Sequence, residues 1–502
     1  PHPSSKESIG LVPFPAIPTC PPPPHHKLMH RRHLMDSPDA PSVAKASFRY
    51  PDWVMLDPHT RLNYPVPTID SDYPMEDFHA TKAHAETSMG DPIDVFFRAV
   101  PPPGASRLYV NWTPRRFTKG SSSSSGAGRG EDRWDGFYGR EPLVLAANGN
   151  SILLRLTLSN TRVDFFVYTV HSTGPPSLLR LPDCKLRFSN SCLRSGGLDH
   201  MVTLGNIGFL CDAESEEFVV ADLMILPKHD DASHHDDTPV VAGLCIFRSC
   251  SPGEDWKASK PRICHKEGQG GELIWWHTDV VVPHGVSLCY IDYFRGILFL
   301  DILSKCPRLL YVRLPLMNPV GDPYDSETGR GCPSAFRSVC VTNGGTMKFV
   351  EVVTRTVFLS GSQSAAASSF AIKVWRLREH GMTWEKESTI QDTELWSLQG
   401  YGDLLRVPPT FPVVSMTNPD VIFCVLSNGC FGDANVTWVI AIDMLKKTLR
   451  SAFRYKKVHR NSIENDGNMA SASLSTNRAF IPSQLSKYLG VTGARRKRRN
   501  LG

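Results

Sequence analysis

No stretch of this 502-residue chain approaches the eighteen or so unbroken apolar residues that a membrane helix needs, so no such span is expected. No C-x-x-C pair occurs either. The 13 cysteines run from Cys20 to Cys430 without the close clustering of thiolates or imidazoles that zinc requires. Several, such as Cys245, Cys289 and Cys424, sit inside apolar runs, which reads as buried, reduced thiols in a reducing compartment. The G-x-S-x-G, H-E-x-x-H and Walker-type patterns are all missing. Gly126-Ala127-Gly128-Arg129-Gly130 is glycine-rich. A serine tract precedes it and Glu131-Asp132 follows, so no strand and helix aim its amides at a phosphate.

A basic surplus is also missing from most of the chain. The formal net charge is +5, and Arg495, Arg496, Lys497, Arg498 and Arg499 supply all of it. The balance counts against direct nucleic-acid binding by the body of the protein. The run itself suits importin recognition, and the expected location is the nucleus and/or the cytoplasm. The bland alternative is a solvated tail.

What the chain does contain is proline, 40 residues of it, beside 37 glycines. That points to many turns and few long helices. Residues 1–47 are rich in Pro, Ser and His and read as a disordered leader, because they bury too little apolar surface to offset their ordering entropy. Lys119 to Gly130 is a Ser/Gly insertion of the flexible type. His229 to Pro239 is acidic and His-rich. Its imidazoles and carboxylates suit a divalent ion only if rigidly placed, and a solvated loop is the plainer reading. No catalytic, cofactor-binding or metal-ligating residue is assigned. Pairs such as His277 with Asp279, or His284 beside Gly285, read as turn and strand-end residues.

Between these segments one unit recurs: an aromatic or branched strand, a polar turn, then a second strand. It begins at Phe165, Phe218, Ile297, Phe370 and Trp438. Asn148-Gly149-Asn150 adds a tight hairpin turn. Repeated antiparallel units in an all-β chain predict a β-propeller, with six blades, because radial closure leaves only short edges. A two-sheet β-sandwich is the alternative. The expected division is residues 48–280 and 281–455 as two parts of the all-β body, with a mobile basic tail over 456–502. That tail holds a short helix near Ser483 to Leu489. In Trp275-Trp276, alternation sends one indole inward and leaves the other for a neighbour or solvent.

The organising stretch is Cys289 to Pro315. Ile297 to Ile302 is apolar, Ser304 to Pro307 breaks the run, and Leu309 to Leu314 resumes it. This is the pattern of a hairpin. Asp292-Tyr293-Phe294-Arg295-Gly296-Ile297-Leu298, then Asp301, then Leu309 to Pro315, resembles the signature of the plant, grass-expanded family called domain of unknown function 1618. Pro51 to Asp57 resembles that family's opening strand, and Phe218 to Leu223 the strand before its central region. The likeness runs roughly from Pro51 to Tyr455. Tyr290 stands where the family pattern leads one to expect Trp. The resemblance implies a fold type and a plant origin, and assigns no activity. The functional expectation is a non-enzymatic protein-interaction platform with an unidentified protein partner. The alternatives are an enzyme with an active site in a central funnel, and a nuclear regulator imported through the tail.

Overall fold

The computed structural model describes residues 50–62, 80–112, 142–159, 162–184, 206–228, 239–251, 255–304, 306–316, 331–356, 368–378, 382–427, 437–455 and 479–489. All of them fall in one unit, Arg49–Gly502. They form six sheets arranged in a ring, a six-bladed β-propeller. The sandwich alternative is thereby set aside.

Blade 1 holds β1 (Val54–Leu56), β2 (Arg61–Leu62), β3 (Ala83–Glu86), β4 (Pro92–Arg98) and β5 (Ala105–Trp112). Blade 2 is β6 (Leu143–Asn148), β7 (Ser151–Thr157), β8 (Val163–Thr169) and β9 (Ser177–Arg180). Blade 3 is β10 (Ile207–Cys211), β11 (Phe218–Pro227), β12 (Val240–Arg248) and β13 (Lys257–Ser259). Blade 4 comprises β14 (Arg262–Cys264), β15 (Val280–His284), β16 (Ser287–Asp292), β17 (Gly296–Asp301) and β18 (Arg308–Arg313). Its β14 lies parallel to β18 as an added outer strand. Blade 5 is β19 (Arg337–Val341), β20 (Met347–Thr356), β21 (Ser368–Arg378) and β22 (Thr383–Gln391). Blade 6 is β23 (Thr410–Val414), β24 (Val421–Ser427), β25 (Thr437–Asp443) and β26 (Thr448–Tyr455). A last strand, β27 (Ile481–Ser483), returns to blade 1 and pairs antiparallel with β1.

The strand character follows from this stacking. A middle strand is covered on both faces by neighbouring blades, so its residues are apolar without alternation. Val421 to Leu426 of β24 and Gly296 to Leu300 of β17 are buried throughout. An outer strand has one free face, and β26 alternates exposed with half-buried positions until Tyr455. The Asn-Gly turn appears as expected between β6 and β7, with Gly149 at φ 55°, a region open to glycine at little cost.

The core lies in the seams between blades. Leu154, Phe97 and Val110 pack blade 1 on blade 2. Phe209, Phe218 and Leu153 fill the seam of blades 2 and 3. Tyr290, Leu298 and Leu244 fill that of blades 3 and 4, and Phe349, Trp375 and Ile291 that of blades 4 and 5. A larger cluster runs from blade 5 through blade 6 to Trp53 and Met55 of blade 1 and Phe480. At that closing seam the Tyr455 hydroxyl donates to the Pro103 carbonyl at 2.9 Å. The Arg107 guanidinium meets Asp57 at 2.8 Å, both side chains buried.

Within the span read as a tail, Ile481–Ser483 is a strand of blade 1, and residues 485–489 form the expected helical turn. The Pro/His-rich leader, the Ser/Gly insertion and the His229 to Asp237 loop lie outside the described residues, as does the basic run.

Candidate functional site

The signature stretch builds a turn before it builds anything else. Between β16 and β17, Asp292 accepts the Phe294 amide on Oδ1 at 2.9 Å. Its Oδ2 accepts the His277 amide at 2.9 Å and Arg295 Nη1 at 3.1 Å. Arg295 Nε donates to the Glu272 carbonyl at 3.0 Å. Arg295 and Asp292 are 2% and 0% exposed; charges held that deep need this density of partners. Glu272 in turn accepts the Tyr311 hydroxyl at 2.7 Å and pairs with Arg313. Next to it, Arg337 of blade 5 donates to the Tyr293 carbonyl at 2.8 Å and pairs with Glu351. A Cβ on Gly296 would lie 2.5 Å from both the Tyr311 ring and the Val312 carbonyl, so only glycine fits. Tyr290 is fully buried and its hydroxyl donates to Ala221 across the seam at 3.0 Å. Burial pushes the Tyr290, Tyr293 and Tyr311 phenols upward, keeping them neutral donors.

This ionic staple also fixes the short 3-10 turn Gly270–Trp275 that precedes β15. Leu273 is its buried anchor, while Ile274 and Trp275 point outward, 44% and 52% exposed. Trp276 turns inward, edge-on to Tyr311 with ring centroids 6.1 Å apart, and its Nε1 donates to Thr278 Oγ1. One indole lies in and one out, as expected, but the pair sits on a 3-10 turn and its exit rather than in an alternating strand. Trp375 is buried in a seam, and Trp384, Trp396 and Trp438 pack against the clusters as partly buried rings. His277 and Asp279 serve the turn through backbone contacts: Asp279 Oδ2 accepts the Tyr293 amide at 2.8 Å.

A second constellation joins blades 2 and 3. His171, just after β8, holds Ser177 Oγ on Nε2 at 2.7 Å and Glu216 Oε2 on Nδ1 at 2.7 Å. The order serine, imidazole, carboxylate is that of a nucleophilic triad. Ser177 is exposed, however, and the other two side chains are 26% and 36% exposed. Among the described residues no wall encloses the array, and its two hydrogen bonds pin together two surface turns. On the outer perimeter, a groove of about 370 Å³ runs between Arg248, Asp255 and Lys257 of blade 3 and Leu303, Ser304 and Pro307 of blade 4.

Among the described residues there is no cluster of three His, Cys, Asp or Glu side chains that could hold a metal ion. No helix there is long and apolar enough to cross a membrane. The sequence reading missed the Asp292–Arg295 staple and the His171 array. The first looked like ordinary turn residues, and the second gathers residues from two blades.

Residues 290–423 match the model of the family described as protein of unknown function (DUF1618). The DUF1618 region thus starts in β16, includes the staple and ends in β24. It supports the family resemblance over part of the ring. No curated protein matches the chain. Three solved structures are similar at low identity. One is the GH32 β-fructofuranosidase BmSUC1 of Bombyx mori in complex with sucrose, at 8% identity and TM-score 0.23, covering 68% of this chain and 58% of that one. The second is MPT-1, a GDP-Man-dependent mannosyltransferase from Leishmania mexicana, at 9% identity and TM-score 0.19, covering 65% and 88%. The third is a chain of a mitotic checkpoint complex, at 9% identity and TM-score 0.23, covering 66% and 89%. Likeness at this level fixes neither activity nor partner.

Proposed function

We propose that the ring is a non-enzymatic protein-interaction platform of a plant cell, and that Trp275 with Ile274 is its principal contact. The observation that carries this is a half-exposed tryptophan on a turn locked from below by a buried ion pair. Exposing a large indole forgoes hydrophobic burial, while a rigid mount lowers the entropy lost on binding. Tryptophans so placed are the residues that dominate interface energies. The plant origin rests on the family resemblance. The Arg495 to Arg499 run is the proposed importin ligand, taking the protein to the nucleus as well as the cytoplasm.

The test is affinity capture with mass spectrometry from plant nuclear and cytoplasmic fractions. It compares the intact chain, Trp275→Ala, and a chain lacking Arg495 to Arg499. A partner set that falls roughly thirtyfold in affinity with Trp275→Ala, the equivalent of about 2 kcal/mol, supports the platform. Loss of nuclear recovery on deleting the run supports import. Partners bound equally well by Trp275→Ala would remove that surface from the account.

A further inference from the structure

The seam between blades 2 and 3 gathers two thiols and a carboxyl group, Cys184, Cys245 and Asp222, that play no part in the contacts described so far. Asp222 of β11 and Cys245 of β12 are directly opposite in register. Both are buried, at 7% and 3% exposure. Cys184, which follows β9, packs against the same cluster and is half-buried. Its thiol is in hydrogen-bond contact with that of Cys245. The short segment carrying Cys184 is tied to blade 3, because Trp256 Nε1 donates to the Pro182 carbonyl at 2.9 Å and stacks near Phe247. Among the described residues, Asp222 Oδ1 has no hydrogen-bond partner, a costly state for a carboxyl group in a packed seam.

We propose that Cys184 and Cys245 are a redox-active thiol pair which closes to a disulfide across the seam, with Asp222 as the proton acceptor and a low-molecular-weight disulfide as the oxidant. The roles follow from access. Cys184 has solvent on one side and is the attacking thiol: its thiolate displaces one thiolate from the small disulfide, forming a mixed disulfide. Cys245 then passes its proton to Asp222 and attacks the Cys184 sulfur, expelling the second small thiolate. Two protein thiols and one small disulfide become one protein disulfide and two small thiols, so electrons and protons balance. The hydrogen bond to Cys184, and burial after it, push the Cys245 thiol far up, so it ionises poorly unaided. Burial also raises Asp222 to about 7, which leaves it able to take a proton at neutral pH. Cys211, in the same seam, is occupied otherwise, its thiol donating to Asn150 Oδ1 and Ser151 Oγ, and Cys289 is a buried thiol raised by desolvation.

The experiment treats the full chain with oxidised glutathione and maps its cysteines by peptide mass spectrometry. The expected dominant link joins Cys184 to Cys245, with Tm raised by at least about 3 °C because a long loop is closed. Cys245→Ser should stop at a glutathione adduct on Cys184, and Cys184→Ser should leave Cys245 unmodified. Asp222→Asn should let the Cys184 adduct accumulate, closing roughly tenfold more slowly than in the parent chain. A parent chain that keeps the adduct on Cys184 beside a reduced Cys245 would overturn the pair, as would links spread evenly over the other cysteines. Closure of Asp222→Asn at the parent rate would overturn the role given to the carboxylate.

Discussion

The Asp292–Arg295 pair shows what a single residue can be asked to do. Both charges are out of water, and each has its hydrogen bonds met by the other or by backbone. Removing one partner strands the other, which typically costs about 3–5 kcal/mol. Arg295→Ala should therefore lower the urea midpoint sharply, whereas Arg313→Ala, on the exposed side of Glu272, should cost under about 1 kcal/mol. Equal losses in urea melts of the two variants would show that the burial of Arg295 does not matter. Asp222 makes the converse case, a buried carboxyl whose Oδ1 has no hydrogen-bond partner among the described residues. Its folded value, about 7, exceeds the ordinary 3.8 because burial disfavours the anion. The folded state therefore binds the proton more tightly than the unfolded state. The contribution is fully present below about pH 4, shrinks as pH rises to about 7 and then stays flat, a span of up to about 4 kcal/mol. Asp222→Asn should abolish that slope, so its stability relative to the parent should improve between pH 4 and pH 7. Asp94 and Glu394, held low in the fold, lose stability in acid instead, and they cancel from the comparison because both chains carry them. Parallel melting curves for parent and variant from pH 4 to 8 would refute the assignment.

At the scale of the element, legibility depended on what each strand buries. Strands covered on both faces announce themselves as apolar runs, and β17, β24 and β25 were readable for that reason; β18 was readable instead from its alternation of buried and exposed residues. The repeating unit read from the sequence mostly marks the third and fourth strands of a blade, where the hairpin is tight and continuous. First strands were harder. β15 is half-buried along its whole length and contains Pro283, so it offers neither a run nor an alternation. β27 is the extreme case, three residues with Pro482 in the middle. It was illegible because its strand character is imposed by β1, its one partner, rather than carried by its own side chains. Proline is tolerated there because only one edge of β27 joins a ladder. The candidate sites failed to show for a different reason. His171, Ser177 and Glu216, or Cys184, Asp222 and Cys245, become neighbours only when blades 2 and 3 meet, and local periodicity carries no information about that seam.

For the whole molecule, the decisive event is closing the ring. Every seam holds an apolar cluster, so a blade opened at one side loses packing along a whole face. Closure relies on the chain's far end: β27 lies on β1, Phe480 enters the cluster of blades 5, 6 and 1, and Leu485 and Leu489 enter that of blades 1 and 2. Those three side chains are at most 6% exposed. Burying each stabilises by roughly 1.5–3 kcal/mol, so together they contribute on the order of the net stability of an ordinary domain. Gln484 adds a bond from this segment to Asn343 at a turn of blade 5. A chain ending at residue 478 should therefore lose its cooperative transition or melt at least about 10 °C lower, while one ending at residue 489 should match the full chain. The contrast matters more than either value, because both truncations remove Arg495 to Arg499 and differ only in the closing segment. If the shorter chain melts with the same midpoint and the same denaturant slope as the longer one, the ring does not depend on β27, and the first five strands must close blade 1 by themselves.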